Sequence, residues 1–357
     1  MAARKATIQD VARAAGVAPS TVSRVLNNHP SVTEPTRQKV MSAIAQLRYV
    51  PNSFAKSLRT NQSYLLGLIV PDISNPFYPE LARGLQDTAS AEGYSVIIYN
   101  TDGRRVKEIE ALDTLRHYVE GIVIFPQVVG PAEIARHFGK GRPMVICDAR
   151  PLAHEAPVLR ADDVRAAELA TDHLISVGCR TIAFVGVPVN AYQARFAGYR
   201  SSLARAGIAY DPELEIDLAA LSALDRGLRE QPPAGHGSPS DRGLATAGRN
   251  HAALSALVRE KGVDGMVCVN DVVALRVIRM LHEAGIRVPQ DVAVVGFDNI
   301  QAATTSMPSL STIDYNKYEM GREAARLLLD ALQAKRPVAT ASFTLEPQLI
   351  VRESTLR

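Results

Sequence analysis

Two sets of side chains in this 357-residue chain have types and spacings that could do chemistry. The first lies just past the ends of apolar runs. Asn75, Phe77 and Tyr78 follow LLGLIVPD, Asn270 and Asp271 follow MVCV, Asp298 and Asn299 follow VAVVGF, Asp148 follows PMVIC, and Arg195 opens the stretch after TIAFVG. Singly these could be helix caps, Asp148 and Asp271 above all. Together they supply aromatic faces, a forked guanidinium donor and carboxylate acceptors, which suit a small polyhydroxylated molecule. The second set lies in the first 60 residues. Arg24 belongs to PSTVSRVLNN, whose Val22, Val25 and Leu26 share one helical face. From such a helix Arg24 could contact a guanine edge through both arms of its fork, with Thr21 and Asn27 at phosphates. Farther on, Leu58 is apolar yet flanked by Lys56 and Arg59. Basic side chains holding phosphates while a leucine separates a base step in the minor groove would explain that pattern. The alternative is a linker helix that packs Leu58 against the body.

The elements that must position these residues are legible from periodicity. TIQD opens with a capping-box-like pattern, and Ile8, Val11, Ala12 and Ala15 follow at helical spacing. Gly16 stops that helix, Pro19 can open the next at its first position, and a third begins near Thr33 and runs through Val40, Ala43, Ile44 and Leu47. Two short helices joined by a tight glycine-containing turn make a helix-turn-helix, whose second helix could enter the major groove; a small bundle that binds protein is the alternative. Pro51 ends the third helix, and another short helix carries Phe54, Ala55 and Leu58. The body alternates apolar runs at 65–70, 95–99, 121–125, 143–147, 181–186, 264–269 and 292–297 with amphipathic stretches at 78–92, 163–177, 193–206 and 271–284. Alternation of this kind predicts parallel sheets with helices on both faces. Nearly 300 residues should divide into two such lobes, with the ligand site in the cleft outside the carboxyl ends of the strands.

Charge sharpens the division. Residues 1–60 carry nine Lys or Arg against two acids, a balance of +7, and the remainder carries 31 against 35, a balance of −4. A basic head on a mildly acidic body points to a polyanionic partner for the head alone. Cys147, Cys179 and Cys268 lack metal-ligand spacing and read as buried apolar residues. No GxSxG, GxxxxGK[ST], HExxH or GxGxxG motif occurs, which argues against the commonest α/β enzymes. MAARKATIQD has no apolar core for a signal peptide, and no apolar run approaches the ~18 residues of a membrane span. The expectation is a cytoplasmic protein without membrane contact, metal or cofactor. Residues 231–241, rich in Pro, Gly and Ser, read as a surface loop in which His236 is solvated.

TIQDVARAAGVAPSTVSRVLNN, followed by VTEPTRQKVMSAIAQLRYVPNSFAKSLRTN, closely resembles the LacI/GalR family of bacterial transcription regulators. SNPFY, VEGIVIFP, ARFAGY, VNDVVAL and VPQDVAVVGFDNI extend the resemblance, more weakly, over the body. The resemblance implies an all-α helix-turn-helix head (1–48), a hinge helix (49–62), and a periplasmic-binding-protein-like α/β body (63–357) of two doubly wound parallel-sheet lobes. The lobes are expected at 63–161 plus 296–318 and at 162–295 plus 319–357. It also implies a homodimer on a palindromic operator in double-stranded DNA. Base reading then falls to Pro19, Ser20 and Arg24, phosphate contacts to Thr7, Thr21, Ser23 and Asn27, and the minor-groove hinge to Ala55, Leu58 and Arg59. The effector, a sugar or sugar derivative, would meet Arg195 and Asp298 first, then Phe77, Tyr78, Asn270 and Asp163, with Asp162 a rival for the last place. The function implied is a ligand-responsive repressor of carbohydrate-related genes; a solute-binding protein without a regulatory role is the alternative. Two departures bear on the head. Ala18 stands where the family favours a capping Ser, and Pro19 and Ser20 are poor base readers, which shifts specificity onto Arg24. A third is the 219–242 insertion.

Overall fold

The computed structural model describes residues 6–26, 29–49, 62–147, 157–186, 192–216, 254–334 and 342–357. The chain forms two compact units, Met1–Ser63 and Tyr64–Arg357.

In the first unit, α1 (Ile8–Ala15), α2 (Pro19–Leu26) and α3 (Glu34–Gln46) close on Val11, Ala12, Val22, Val25, Val40 and Ala43. The Thr7–Asp10 capping box is formed in both directions: the Asp10 amide donates to the Thr7 hydroxyl at 3.3 Å, and the Thr7 amide donates to the Asp10 carboxylate at 2.9 Å. Gly16, at φ 66°, turns the chain out of α1 in the left-handed region and donates its amide to the carbonyls of Ala12 and Arg13. This sharp turn sets α2 across α1 within three residues.

The second unit contains two six-stranded sheets. The first has the order β11–β5–β4–β3–β1–β2, from β1 (Leu65–Val70), β2 (Ser95–Asn100), β3 (Gly121–Ile124), β4 (Met144–Cys147), β5 (Val158–Ala161) and β11 (Ser342–Leu345), all parallel. One of its faces is covered by α4 (Phe77–Ala91) and α11 (Lys317–Ala334), the other by α5 (Arg105–Leu115) and α6 (Pro131–Phe138). Burial on both faces explains why β1, β3 and β4 are unbroken apolar runs rather than alternating ones. The second sheet has the order β12–β10–β9–β8–β6–β7, from β6 (Ile182–Val185), β7 (Glu215–Ile216), β8 (Gly265–Cys268), β9 (Ala293–Phe297), β10 (Ser311–Asp314) and β12 (Gln348–Ile350). Only its β10–β12 pair is antiparallel. The helices α7 (Asp163–Ser176), α8 (Gln193–Arg205), α9 (Asp271–Glu283) and the short α10 (Gln301–Thr305) share its core. All three cysteines are buried.

Strand pairing corrects the expected division into lobes. Residues 296–318 were expected in the first lobe and 319–357 in the second. Instead β9 and β10 pair with each other in the second sheet, α11 packs on α4, and β11 pairs with β5 in the first sheet. The chain then returns as β12 to β10. It therefore passes between lobes after β5, again between β10 and α11, and finally between β11 and β12. The ladders decide this, and none of β5, β10, β11 or β12 stands out as an apolar run in the sequence.

Candidate functional site

In the head, Pro19, Ser20 and Arg24 are exposed along α2, while Val22 and Val25 on its opposite side are buried in the three-helix core. Thr21 and Ser23 are half-buried. The face expected to read bases is thus free of the packing that holds the helix. The Thr7 hydroxyl donates to Asp10 at 2.7 Å, so its first task is the cap of α1. Asn27 and the hinge residues Ala55, Leu58 and Arg59 lie outside the described residues.

In the body, a cavity of about 120 Å³ opens where the carboxyl ends of both sheets face each other. Its lining unites all six expected contacts: Phe77 and Tyr78 from α4, and Asp163, Arg195, Asn270 and Asp298 from the second lobe. They meet because each opens a helix or follows a strand end, the position from which α/β folds present side chains to a ligand. Asp163, not Asp162, lines the cavity; Asp162 caps α7 by accepting from the Arg165 amide at 2.9 Å.

Arg195 is the centre of the polar wall. Its Nε donates to Asp163 Oδ1 at 2.8 Å and its Nη1 donates to the Val269 carbonyl. Its guanidinium carbon lies 4.7 Å from the centre of the Phe297 ring, 5.5 Å from Tyr315 and 5.6 Å from Tyr192. Burial opposes its charge, but Asp163, Tyr315 and Asp298 outweigh burial and hold its pKa well above the ordinary value. The Tyr315 hydroxyl also donates to Asp163 Oδ1, at 2.6 Å, so that one carboxylate oxygen fixes two neighbours. Burial pushes the phenols of Tyr78, Tyr192 and Tyr315 upward, which keeps them neutral donors.

Asp298 is held differently. Its φ of 102° and the 46° of Asn299 are rare for residues with a Cβ, a cost of order 1–3 kcal/mol each that neighbouring bonds must offset. The Asp298 amide donates to the Ile313 carbonyl at 2.8 Å, and the Asn299 amide donates to the Thr312 hydroxyl at 3.2 Å. Lys317, 2% exposed, donates its ammonium to the Asp298 carbonyl at 2.5 Å and to the Asn299 carbonyl at 3.2 Å. The same ammonium lies 3.3 Å from Glu80 on α4 and 3.7 Å from Asp314. Burial raises the Asp298 carboxyl to about 6, against the opposing pull of Arg195, Lys317 and a hydrogen bond from Asn75.

The apolar wall is an aromatic cluster. Phe77 and Tyr78 stand edge to face at 5.1 Å, and Phe125 completes the group at 6.3 Å and 5.4 Å from them. Asn270 lines the cavity while its carbonyl oxygen caps α9 through the Val273 amide at 2.9 Å. Asp271 turns away from the lining: its carboxylate accepts from the Thr312 hydroxyl at 2.6 Å and from the Ile300 amide at 2.9 Å. Burial raises it to about 8. Phe125, Gln127, Tyr192, Tyr315 and Met320 also line the cavity and were not anticipated as contacts. Phe125 carried a usable signal, as an aromatic ending the GIVIF run; Tyr315 follows β10, a strand the sequence hides. Among the described residues no group of three or more His, Cys, Asp or Glu could hold a metal ion, and no helix is long and apolar enough to cross a membrane.

Comparison with known proteins agrees with this architecture. Residues 7–52 match the description "Bacterial regulatory proteins, lacI family", residues 63–226 "Periplasmic binding proteins and sugar binding domain of LacI family", and residues 171–355 "Periplasmic binding protein-like domain". The ribose operon repressor of Halalkalibacterium halodurans is 34% identical over 98% of this chain and 97% of its own. A LacI family transcriptional regulator from Enterococcus faecium, solved with bound ribose, is 29% identical, with a TM-score of 0.65 over 81% of this chain and 98% of its own. The fold is shared too with the lac repressor dimer bound to operator and an anti-inducer, at 24% identity and a TM-score of 0.78 over 99% of this chain and 100% of that one. Near-complete coverage by a relative of that similarity, with head and body matched in the same order, settles the family: this chain belongs to the LacI family of bacterial regulatory proteins, transcriptional regulators rather than enzymes.

Proposed function

We propose that the chain is a ligand-responsive transcriptional repressor of carbohydrate-related genes. It binds a palindromic operator as a homodimer through its head, and a sugar or sugar derivative in the interlobe cleft changes its grip on that DNA. It works where the DNA is, in the cytoplasm, on the nucleoid when bound. The observation that carries the reading is the union, in one chain, of an exposed helix face bearing Arg24 with a cavity that joins aromatic rings of one lobe to Asp163, Arg195, Asn270 and Asp298 of the other. A solute-binding protein would have the second feature without the first.

In this reading Arg24 reads a guanine, Pro19 and Ser20 shape the approach to the groove, Thr7, Thr21, Ser23 and Asn27 fix the phosphates, and Ala55, Leu58 and Arg59 open the minor groove. Arg195 and Asp298 bind effector hydroxyls, with Asp163 and Asn270 beside them and Phe77 and Tyr78 against the apolar face of the ring. Because the cavity has walls from both lobes, a bound effector favours one lobe arrangement over another, and a shift of population between the two is felt at the head. Arg195→Ala tests the assignment: DNA binding without effector should persist while effector-dependent change in DNA affinity is lost. A variant that responds normally would remove Arg195 from the site.

A further inference from the structure

The charges around the cleft carry a conclusion about which sugars it admits. Among the described lining residues the charged side chains are Asp163, Arg195 and Asp298. The charge of Arg195, the cation, is balanced by Asp163, which takes its Nε while the Val269 carbonyl takes its Nη1; its remaining N–H donors can still meet a neutral hydroxyl. The second carboxylate, Asp298, leaves the lining with a formal balance of −1. Lys317, which touches the Asp298 loop from outside the lining, has its ammonium on the carbonyls of Asp298 and Asn299 and beside the carboxylates of Glu80 and Asp314, so it brings no uncommitted positive charge.

The backbone points the same way. In α/β folds phosphate is usually held at helix N-termini, whose amides and dipole attract anions. Four helices begin at this cleft, and in three of them one first-turn amide is taken by a side-chain oxygen of the chain itself. Asn75 Oδ1 accepts from the Phe77 amide at 3.0 Å, Asp162 from Arg165 at 2.9 Å and Asn270 from Val273 at 2.9 Å. Two of these helices also carry an acid as their first residue, Asp163 on α7 and Asp271 on α9.

We propose, resting on the sugar-effector reading above, that the cleft excludes anions: it takes an uncharged sugar and rejects the phosphorylated or carboxylated form of that same sugar. Hydroxyls suit the site, since each can donate to Asp298 and accept from Asn270, Gln127 or a tyrosine. A phosphate or carboxylate entering beside Asp298 meets a like charge among buried side chains. Phosphoryl transfer from a nucleoside triphosphate to a hydroxyl of the sugar, releasing the diphosphate and a proton, would therefore end the signal.

The test is calorimetry on the full-length chain at pH 7.5 with neutral aldopentoses, ketopentoses and hexoses, each run beside its monophosphate and its aldonic or uronic acid. The expected result is that at least one neutral sugar binds and its charged forms bind at least about 100-fold more weakly. In Asp298→Asn, which keeps the shape and removes the charge, the gap should shrink to about tenfold or less. A charged form that binds as tightly as its parent overturns this proposal and leaves the sugar-effector reading standing. An unchanged gap in Asp298→Asn overturns the charge mechanism. Binding by no member of the panel overturns both readings.

Discussion

Single residues in this protein are held by partners that make their substitution informative. Arg24 is exposed on the face of α2 away from the core. Arg24→Ala should leave the fold intact and relax discrimination at one guanine by roughly 1–3 kcal/mol; competition binding with operator variants measures it, and undiminished discrimination would move the base-reading role elsewhere. Asp271 offers a different test because it is buried outside the cavity lining. Burial lifts its carboxyl from an ordinary 3.8 to about 8, with Asp298 adding to the rise and Thr312, Ile300 and Lys317 opposing it. Such a group binds a proton more tightly folded than unfolded. Its ionised form is penalised, so stability is lost as pH rises from about 4 to about 8 and the loss is complete above that. Asparagine can accept from the Ile300 amide and donate to the Thr312 hydroxyl. Asp271→Asn should thus be more stable than the parent at pH 9, by an order of 2–5 kcal/mol, with the difference vanishing near pH 4. Chemical denaturation at the two pH values checks it, and a variant less stable at pH 9 would contradict it.

At the scale of elements, the site depends on how α4 and α11 cross. A Cβ on Gly84 would lie 2.0 Å from the Tyr318 carbonyl oxygen, and one on Gly321 would lie 2.0 Å from that of Leu81. The two backbones touch there because both residues lack side chains. This contact brings Phe77 and Tyr78, at the start of α4, into register with Lys317, at the start of α11, which grips the Asp298 loop of the other lobe. Gly84→Ala or Gly321→Ala should destabilise the body by at least about 1–3 kcal/mol, the cost of forcing a well-packed contact apart, and should weaken effector binding as well; a melt and a titration unchanged from the parent would show that the crossing tolerates the methyl. These relations also mark what the sequence discloses. The seven strands read from apolar runs are all present: six are buried almost throughout and leave an unbroken signature, and β2, partly exposed at its sheet's edge, is apolar enough to leave one too. STID, SFTL and QLI do not, being short and partly polar, and with them the connection of α11 to the first lobe was lost. The six effector candidates come together because strand-end positions converge in this fold. Tyr315 and Tyr192 escaped notice because their place beside Arg195 depends on the missed β10 and on a turn that precedes α8.

The chain has two units, and its function joins them: occupation of a cleft in the body alters binding of DNA by the head. A palindromic site follows from a two-fold protein, and a cleft walled by both lobes supplies the two states between which a ligand can choose. The measurement that bears most directly on this claim begins with selection of DNA from a random-sequence pool by the full-length chain. The affinity for the selected site is then followed by fluorescence anisotropy with and without the cleft ligand, in the parent and in Arg195→Ala. The account predicts enrichment of one palindromic site, a change of about tenfold or more on adding ligand to the parent, and no change in the variant. Absence of any enriched sequence, or a parent whose affinity is indifferent to a ligand that calorimetry shows bound, would contradict it.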